Sequence, residues 1–304
     1  MAVDTKVSIG AWQLANPIMT ASGTFGYGEE FQPYVDLTSL GAIVVKGISL
    51  HPRPGNAPPR VVETASGMLN AIGLQNVGVE RFITEKMAML RGLGVPVVVN
   101  ILGDSLEDYR ELAARLAVID DIAAIEVNIS CPNVKKGGVA FGTDAAMAAR
   151  VTEAVCAVTR KPVIIKLSPN VTDVTEIARA VEAAGATAVS LINTLIGMAI
   201  DIKTGRPKLA NIMGGLSGPA IKPVALRMVY QVARAVKIPV IGIGGISCLA
   251  DVVEFMMAGA TAVQIGTANF INPALSGALV SEFADYLEKS GRQSATELIG
   301  SVRV

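Results

Sequence analysis

Residues 96–128 read PVVVNILGDSLEDYRELAARLAVIDDIAAIEVN. Pro96–Ile101 is a short apolar, β-branched run, the signature of a strand buried on both faces. Gly103 breaks it, and Asp104 or Ser105 supplies the polar side chain that caps a helix start. Helical periodicity then runs over Ser105–Ile119, and a second apolar run, Ala124–Asn128, follows directly. Strand, helix and strand in so few residues form a parallel βαβ unit, whose crossover is right-handed.

The same unit recurs outward in both directions. Further apolar runs lie at Pro17–Ala21, Ala42–Lys46, Pro162–Leu167, Ala188–Asn193, Pro239–Gly242 and Ala262–Ile265, which makes eight in all. Helical patterns separate them at Asp144–Val158, Val174–Ala184, Ala220–Ala235 and Cys248–Ala258, the last preceded by Ser247 as a cap. Eight parallel strands with right-handed crossovers close into a (β/α)8 TIM barrel of the α/β class, and an open doubly wound sheet is the alternative. With 304 residues and no linker or low-complexity stretch, residues 1–304 are expected to form a single domain. Two connections are too long for simple turns, His51–Gln75 and Thr194–Gly218. Long ordered connections usually serve function, and in a barrel both would lie over the C-terminal mouth.

Composition narrows the function. Lys plus Arg and Asp plus Glu balance at 26 each, so no overall field recruits nucleic acid or an anionic membrane. The apolar segment 188–200 is interrupted by Ser190, Asn193, Thr194 and Gly197, and no run reaches the ~18 residues of a membrane span. The N-terminus lacks a basic segment followed by an apolar core, so no signal peptide is expected. Three scattered cysteines, Cys131, Cys156 and Cys248, suit a reducing cytoplasm and lack the paired spacing of a zinc or iron–sulfur site. No metal is expected on this chain.

A barrel places its chemistry at the C-terminal ends of its strands, and polar residues collect there. Ser22 follows the first strand, Lys46 closes the second, and Asn100, Asn128 and Lys166 stand at the ends of the next three. Asn193 and Thr194 follow the sixth strand, while GIGG (242–245) and IGT (265–267) end the last two. One lysine at a strand end is ordinarily a snorkelling residue; two lysines with three asparagines at equivalent ends indicate a shared site. The glycine loops suit a phosphate held by backbone N–H groups, although glycines also make plain turns. Asn128 and Asn193 offer donor and acceptor to a planar heterocycle, and the two lysines offer charge to a reduced ring or a carboxylate. Cys131 lies in EVNISCPNVKKGG (126–138), at the mouth of the fourth strand. A cysteine is most often an inert core residue, but this loop sets the thiol where a substrate reaches it.

The motifs ASGTFG, VVKGIS, GMLNAIGLQN, NISCPN, VIIKLSPN, LINT, GIGGI and QIGTA together resemble the dihydroorotate dehydrogenase family, in order from Ala21 to Thr267. NISCPN is the most specific of them, because cysteine there marks the soluble class 1 enzymes. The resemblance implies that Cys131 is the base that takes the C5 proton of dihydroorotate while the C6 hydride passes to FMN. It implies an FMN site at Ser22, Lys46, Gly47, Asn100, Asn128, Lys166, Ile192, Gly218, Gly244, Gly245, Gly266 and Thr267. It implies a substrate site at Lys46, Asn70, Ala71, Ile72, Gly73, Leu74, Asn128, Asn133, Asn193 and Thr194. The wording MLNAIGLQN resembles class 1B, which implies a partner subunit with FAD and a [2Fe–2S] cluster, NAD+ as final acceptor, and two catalytic plus two electron-transfer subunits built on a homodimer. The class 1A alternative is a homodimer that reduces fumarate. A flavin-free phosphate-binding barrel, an isomerase or an aldolase-type lyase with Lys166 as Schiff-base nucleophile, is the alternative outside the family.

Other residues read as structural. His51, the only histidine, stands among prolines; Cys156 lies on an apolar helix face; Cys248 belongs to a first helical turn; Trp12, Met256 and Met257 read as packing; Asp120 and Asp121 read as a solvated turn.

Overall fold

A computed structural model describes residues 3–130 and 141–304. Eight parallel strands, numbered in chain order, form the central sheet: β1 (Ile18–Thr20), β2 (Ile43–Ile48), β3 (Val97–Ile101), β4 (Ile122–Asn128), β5 (Val163–Lys166), β6 (Ala188–Leu191), β7 (Val240–Ile243) and β8 (Ala262–Ile265). Each pairs with its chain neighbour from β2 to β6, β6 pairs with β7, β7 with β8, and β8 returns to β1. A parallel bridge between Met19 and Ala42 joins β1 to the start of β2. Around it Gly41 N donates to Ile18 O at 2.8 Å, and Val44 N donates to the buried Thr20 Oγ1 at 3.1 Å. The fold is therefore a (β/α)8 barrel.

The main helices follow the strands: α1 (Leu106–Ala117), α2 (Ala145–Cys156), α3 (Val174–Ala183), α4 (Lys222–Ala235), α5 (Leu249–Ala258) and α6 (Leu275–Lys289). Their starts are chemically specified. Ser105 accepts from Asp108 N at 3.1 Å while Asp108 accepts from Ser105 Oγ and Asp104 N, and Asp144 accepts from Met147 N. In α1 the buried residues Tyr109, Leu112, Ala113 and Leu116 recur at helical spacing and face the sheet. The expected helix from Ala220 begins as a 3-10 turn, Pro219–Ile221, because Pro223 in the next turn supplies no N–H. A helical segment at 78–91, with a π-helical middle turn at Phe82–Lys86, covers the β2–β3 side.

The apolar core lies between strands and helices and contains nearly every strand residue. An antiparallel hairpin, Val7–Ile9 with Trp12–Leu14, precedes the barrel. Its turn glycine, Gly10, packs so closely on Thr187, just before β6, that a Cβ there would lie 2.6 Å from Thr187 Cγ2. The hairpin thus sits at the N-terminal end of the strands, opposite the mouth. The two long connections pair with each other. Val61–Thr64 and Gly67–Asn70 from the first join Met213–Ser217 and Leu195–Met198 from the second in one four-stranded antiparallel sheet, with a small core of Leu69, Ala71 and Leu209.

Candidate active site at the C-terminal mouth

Register brings the strand-end residues into layers. Asn100 on β3 lies opposite Glu126 on β4, Asn128 on β4 opposite Lys166 on β5, and Lys166 opposite Ser190 on β6. Inward positions of neighbouring barrel strands therefore stack on one another. Lys166 is almost wholly buried, with its Nζ 3.1 Å from Ser22 Oγ and 3.7 Å from Glu126 Oε1. Asn128 is fixed on two sides: Tyr109 Oη donates to its backbone carbonyl at 2.8 Å, and its Oδ1 accepts from Ser130 N at 3.1 Å and from Asn193 Nδ2 at 3.4 Å. Lys46 is half-buried, and burial pushes its ammonium below the ordinary lysine range. Arg60 adds to that shift and Glu30 opposes it. Gly47 beside it lies against Asn100, since a Cβ at Gly47 would fall 2.8 Å from Asn100 Oδ1.

The second sheet meets this layer through short polar contacts. Asn193 Oδ1 accepts from Thr194 N at 2.8 Å. A Cβ at Gly215 would collide with Thr194 Oγ1, and Gly215 O accepts from Asn70 Nδ2 at 3.3 Å. Asn70, Thr194, Asn193 and Asn128 thus form a connected row. Residues 71–73 are held by Asn56, which donates to Ala71 O through Nδ2 and to Ile72 O through its backbone N–H, both at 2.9 Å. Ala71 itself packs in the small core under the sheet. Leu74 O accepts from Asn76 Nδ2 at 2.9 Å.

The glycine loops lie against each other. Gly244 and Gly245 have φ of 128° and 74°, and Gly218 has φ of 95°, conformations that favour glycine. A Cβ on Gly245 would fall 2.9 Å from Gly218 O and 2.8 Å from Lys222 N. Gly218 in turn abuts Gly67, and Thr267 Oγ1 donates to Ser217 Oγ at 2.8 Å, which ties the end of β8 to the second sheet. Gly266 faces Ala21, and Ile192 N donates to Ile243 O at 2.9 Å. Lys222 does not point free charge at these loops. Its Nζ is bonded to Asp251 at 2.7 Å and Glu254 at 2.9 Å, and those two hydrogen bonds hold it above the ordinary lysine range. The arrangement offers a glycine-lined cradle for an anion, then two lysines and a row of amides for a flat polar molecule.

Ser22, Lys46, Gly47, Asn100, Asn128, Lys166, Ile192, Asn193 and Thr194 gather at the mouth, with the glycine loops beside them. Cys131 and Asn133 lie outside the described residues. Sequence reasoning assigned no role to Glu126, Ser190 or Gln264, which surround Lys166 and Asn100 from inside the barrel. The signal was present, because Glu126 interrupts an otherwise apolar strand. Of the residues set aside, His51 is exposed, Cys156 is half-buried against the core with burial pushing its thiol up, and Cys248 is the exposed N-cap of α5. Asp121 pairs with Arg91 at 2.6 Å on the surface. Among the described residues no cluster of potential metal ligands occurs, and no helix is long and apolar enough to cross a membrane.

The dihydroorotate dehydrogenase family model matches residues 5–287. This chain belongs to the dihydroorotate dehydrogenase family. The family is one of flavoproteins. The chain is 60% identical over 301 residues to a protein of Geobacter sulfurreducens named dihydroorotate dehydrogenase B (NAD(+)), catalytic subunit, with 99% of each chain covered. A protein of the same name from Trichlorobacter lovleyi is 60% identical over 297 residues, 98% of each chain, and one from Geotalea daltonii is 58% identical over 301 residues, 99% of each.

Proposed function

We propose that this chain is the FMN-bearing catalytic subunit of an NAD+-linked dihydroorotate dehydrogenase, oxidising (S)-dihydroorotate to orotate in pyrimidine biosynthesis. The carrying observation is the layer of Lys46, Asn100, Asn128, Lys166 and Asn193 at the barrel mouth, next to the paired glycine loops, in a chain so close to proteins of that name. The whole of residues 1–304 acts as one domain, in the cytoplasm, as a homodimer joined by two electron-transfer subunits that carry FAD and a [2Fe–2S] cluster.

The residues suit FMN. Gly218, Gly244, Gly245, Gly266 and Thr267 form a cradle in which a Cβ on Gly218 or Gly245 would meet backbone and one on Gly244 would meet the side chain of Ala225, and glycine loops of this kind offer N–H groups to a phosphate. Ser22, Lys46, Gly47, Asn100, Asn128, Lys166 and Ile192 would hold the ring. FMN, when bound, supplies the acceptor for the hydride that leaves C6 of dihydroorotate. Cys131 takes the proton from C5, acting as general base. Only the thiolate form of a cysteine can accept that proton. Asn70, Asn128, Asn133, Asn193 and Thr194 orient the substrate ring, with the backbone of 71–74 beside them, and Lys46 faces its carboxylate. Lys166, fixed between Ser22 and Glu126, supplies positive charge where electron density accumulates.

The test is the visible spectrum of the purified chain before and after anaerobic dihydroorotate. A yellow protein that bleaches supports the reading, and Cys131→Ala is expected to keep FMN and orotate binding while reduction slows by roughly 100-fold or more. Full-rate reduction in that variant would sink the assignment of Cys131. Re-oxidation by NAD+ only when the partner subunit is added supports class 1B, whereas re-oxidation by fumarate alone selects the homodimeric alternative.

A further inference from the structure

Glu126 is out of keeping with its strand. Around it β4 is aliphatic up to Asn128, and the carboxylate has no exposure to solvent. Among the described residues it is the only buried glutamate, and the one other buried acid, Asp251, lies on α5. A carboxylate in such a place is tolerated only with charge-assisted partners. Here every partner comes from a different strand. Asn100 Nδ2 of β3 donates to Oε1 at 2.7 Å, and Ser190 Oγ of β6 and Gln264 Nε2 of β8 donate to Oε2 at 2.9 and 2.7 Å. Lys166 Nζ of β5 lies 3.7 Å from Oε1.

A purely structural role is the plain alternative, but a buried ion pair adds little net stability compared with apolar residues of the same volume. Stability is therefore a weak reason to keep an acid at this point. The identity of its partners is more telling. Asn100 and Lys166 are two of the residues assigned above to FMN, and Glu126 touches both from the side away from the mouth. The ammonium of Lys166 is thus half of a compensated pair, and anything seated at the mouth senses the pair rather than a lone cation.

We propose that Glu126 is a positioning residue for the flavin: its buried carboxylate aims Asn100 and Lys166 at the ring and offsets the charge of Lys166, which lowers the redox potential of bound FMN. The proposal rests on the reading that this chain binds FMN. Reduction adds negative charge to the ring, which Lys166 favours and Glu126 opposes. With the carboxylate neutralised, Lys166 stands uncompensated and the reduced form gains.

The experiment uses the holoprotein with Glu126→Gln, which keeps the shape of the side chain and removes its charge. A spectroelectrochemical titration is expected to shift the two-electron equilibrium toward reduced FMN by about tenfold or more, a rise of ~30 mV. A potential equal to the wild type, even with a lowered melting temperature, would leave Glu126 a structural residue and overturn the proposal. Should that variant fail to fold, the wild type itself gives the answer through redox-triggered infrared difference spectra with 13C-labelled glutamate. The proposal expects a carboxylate band that shifts when FMN is reduced, and a silent glutamate region overturns it. Failure of the wild type to bind FMN, or to bleach with dihydroorotate, would instead defeat the functional reading, so the two failures are distinguishable.

Discussion

Replacing Gly245 by alanine separates what the glycine loop does from what any left-handed glycine does. Gly205, in a surface turn, has φ of +68° and open space around an added Cβ. Gly205→Ala therefore costs only the left-handed backbone, about 1–2 kcal/mol. Gly245 has φ of +74°, and its added Cβ would stand 2.7 Å from Lys222 Cβ, 2.8 Å from Lys222 N and 2.9 Å from Gly218 O. Two of those three atoms are backbone, so no rotamer change relieves the contact, and overpacking adds about 1–3 kcal/mol. The expected total at Gly245 is about 2–5 kcal/mol, which for a chain of this size lowers the melting temperature by roughly 2 °C per kcal/mol. Relief must come from moving the 244–245 loop away from Gly218, which spreads the proposed phosphate cradle. We therefore expect Gly245→Ala to weaken FMN binding by about tenfold or more, equivalent to ~1.4 kcal/mol, while Gly205→Ala leaves it unchanged. Thermal melts of the flavin-free proteins and fluorescence titration with FMN measure the two effects. Equal melting of the two variants would refute the steric reasoning. Unchanged FMN affinity in a destabilised Gly245→Ala would refute the placement of the phosphate at this loop.

Thr20→Val keeps the volume of the side chain but removes the oxygen that Val44 N bonds where β1 meets β2. An unsatisfied buried N–H costs about 1–3 kcal/mol, read as a lower midpoint in urea, and an unchanged midpoint would mean that water or another acceptor takes over. Burial pushes the Asp251 carboxyl up, but hydrogen bonds from Lys222, Ser247 and Cys248 outweigh it and hold the group below its ordinary range. The unfolded chain then binds the proton first as pH falls below about 4. Wild-type stability should accordingly decline through that window toward the folded value, and Asp251→Asn should show a shallower decline; parallel profiles would contradict this. Lys46→Met removes a desolvated cation whose strongest charged neighbour, Arg60, repels it. The flavin-free variant should melt no lower than the wild type yet bind FMN and orotate more weakly, and a clear loss of flavin-free stability would count against the reasoning.

The barrel was legible because its signals are local. Runs such as PVVVNI and PVIIKL read as strands buried on both faces, and a cap such as Ser105 marks the start of a helix between them. The mouth residues were legible for the same reason, since a lysine or asparagine at the end of an apolar run needs no knowledge of distant chain. The long connections were read as lying over the mouth, and that reading did not include their pairing with each other in one sheet. Strand pairing between Gly67–Asn70 and Met213–Ser217 joins segments far apart in sequence, and neither segment alone buries enough apolar surface to announce a strand. Ala71 belongs to the same connection, and its side chain packs in the small core with Leu69 and Leu209.

Glu126 was the least legible residue of the site, and its partners explain why. Asn100, Lys166, Ser190 and Gln264 lie on four other strands, so no window of sequence contains the network. Their meeting depends on register. Because side chains alternate between the faces of a strand, a slip of one residue in β4 would carry Glu126 out of the barrel and bring an aliphatic neighbour in. Such a slip would strand two amides, a hydroxyl and an ammonium without the acceptor they share, and expose the acid to the apolar helix layer. The apolar residues of β4 do not discriminate strongly between the two registers, since Ile125 and Val127 on either side are both buried. The polar set does. The network that surrounds Lys166 therefore also fixes how β3, β4, β5, β6 and β8 align, and the same alignment delivers Asn128 and Lys166 together to the mouth.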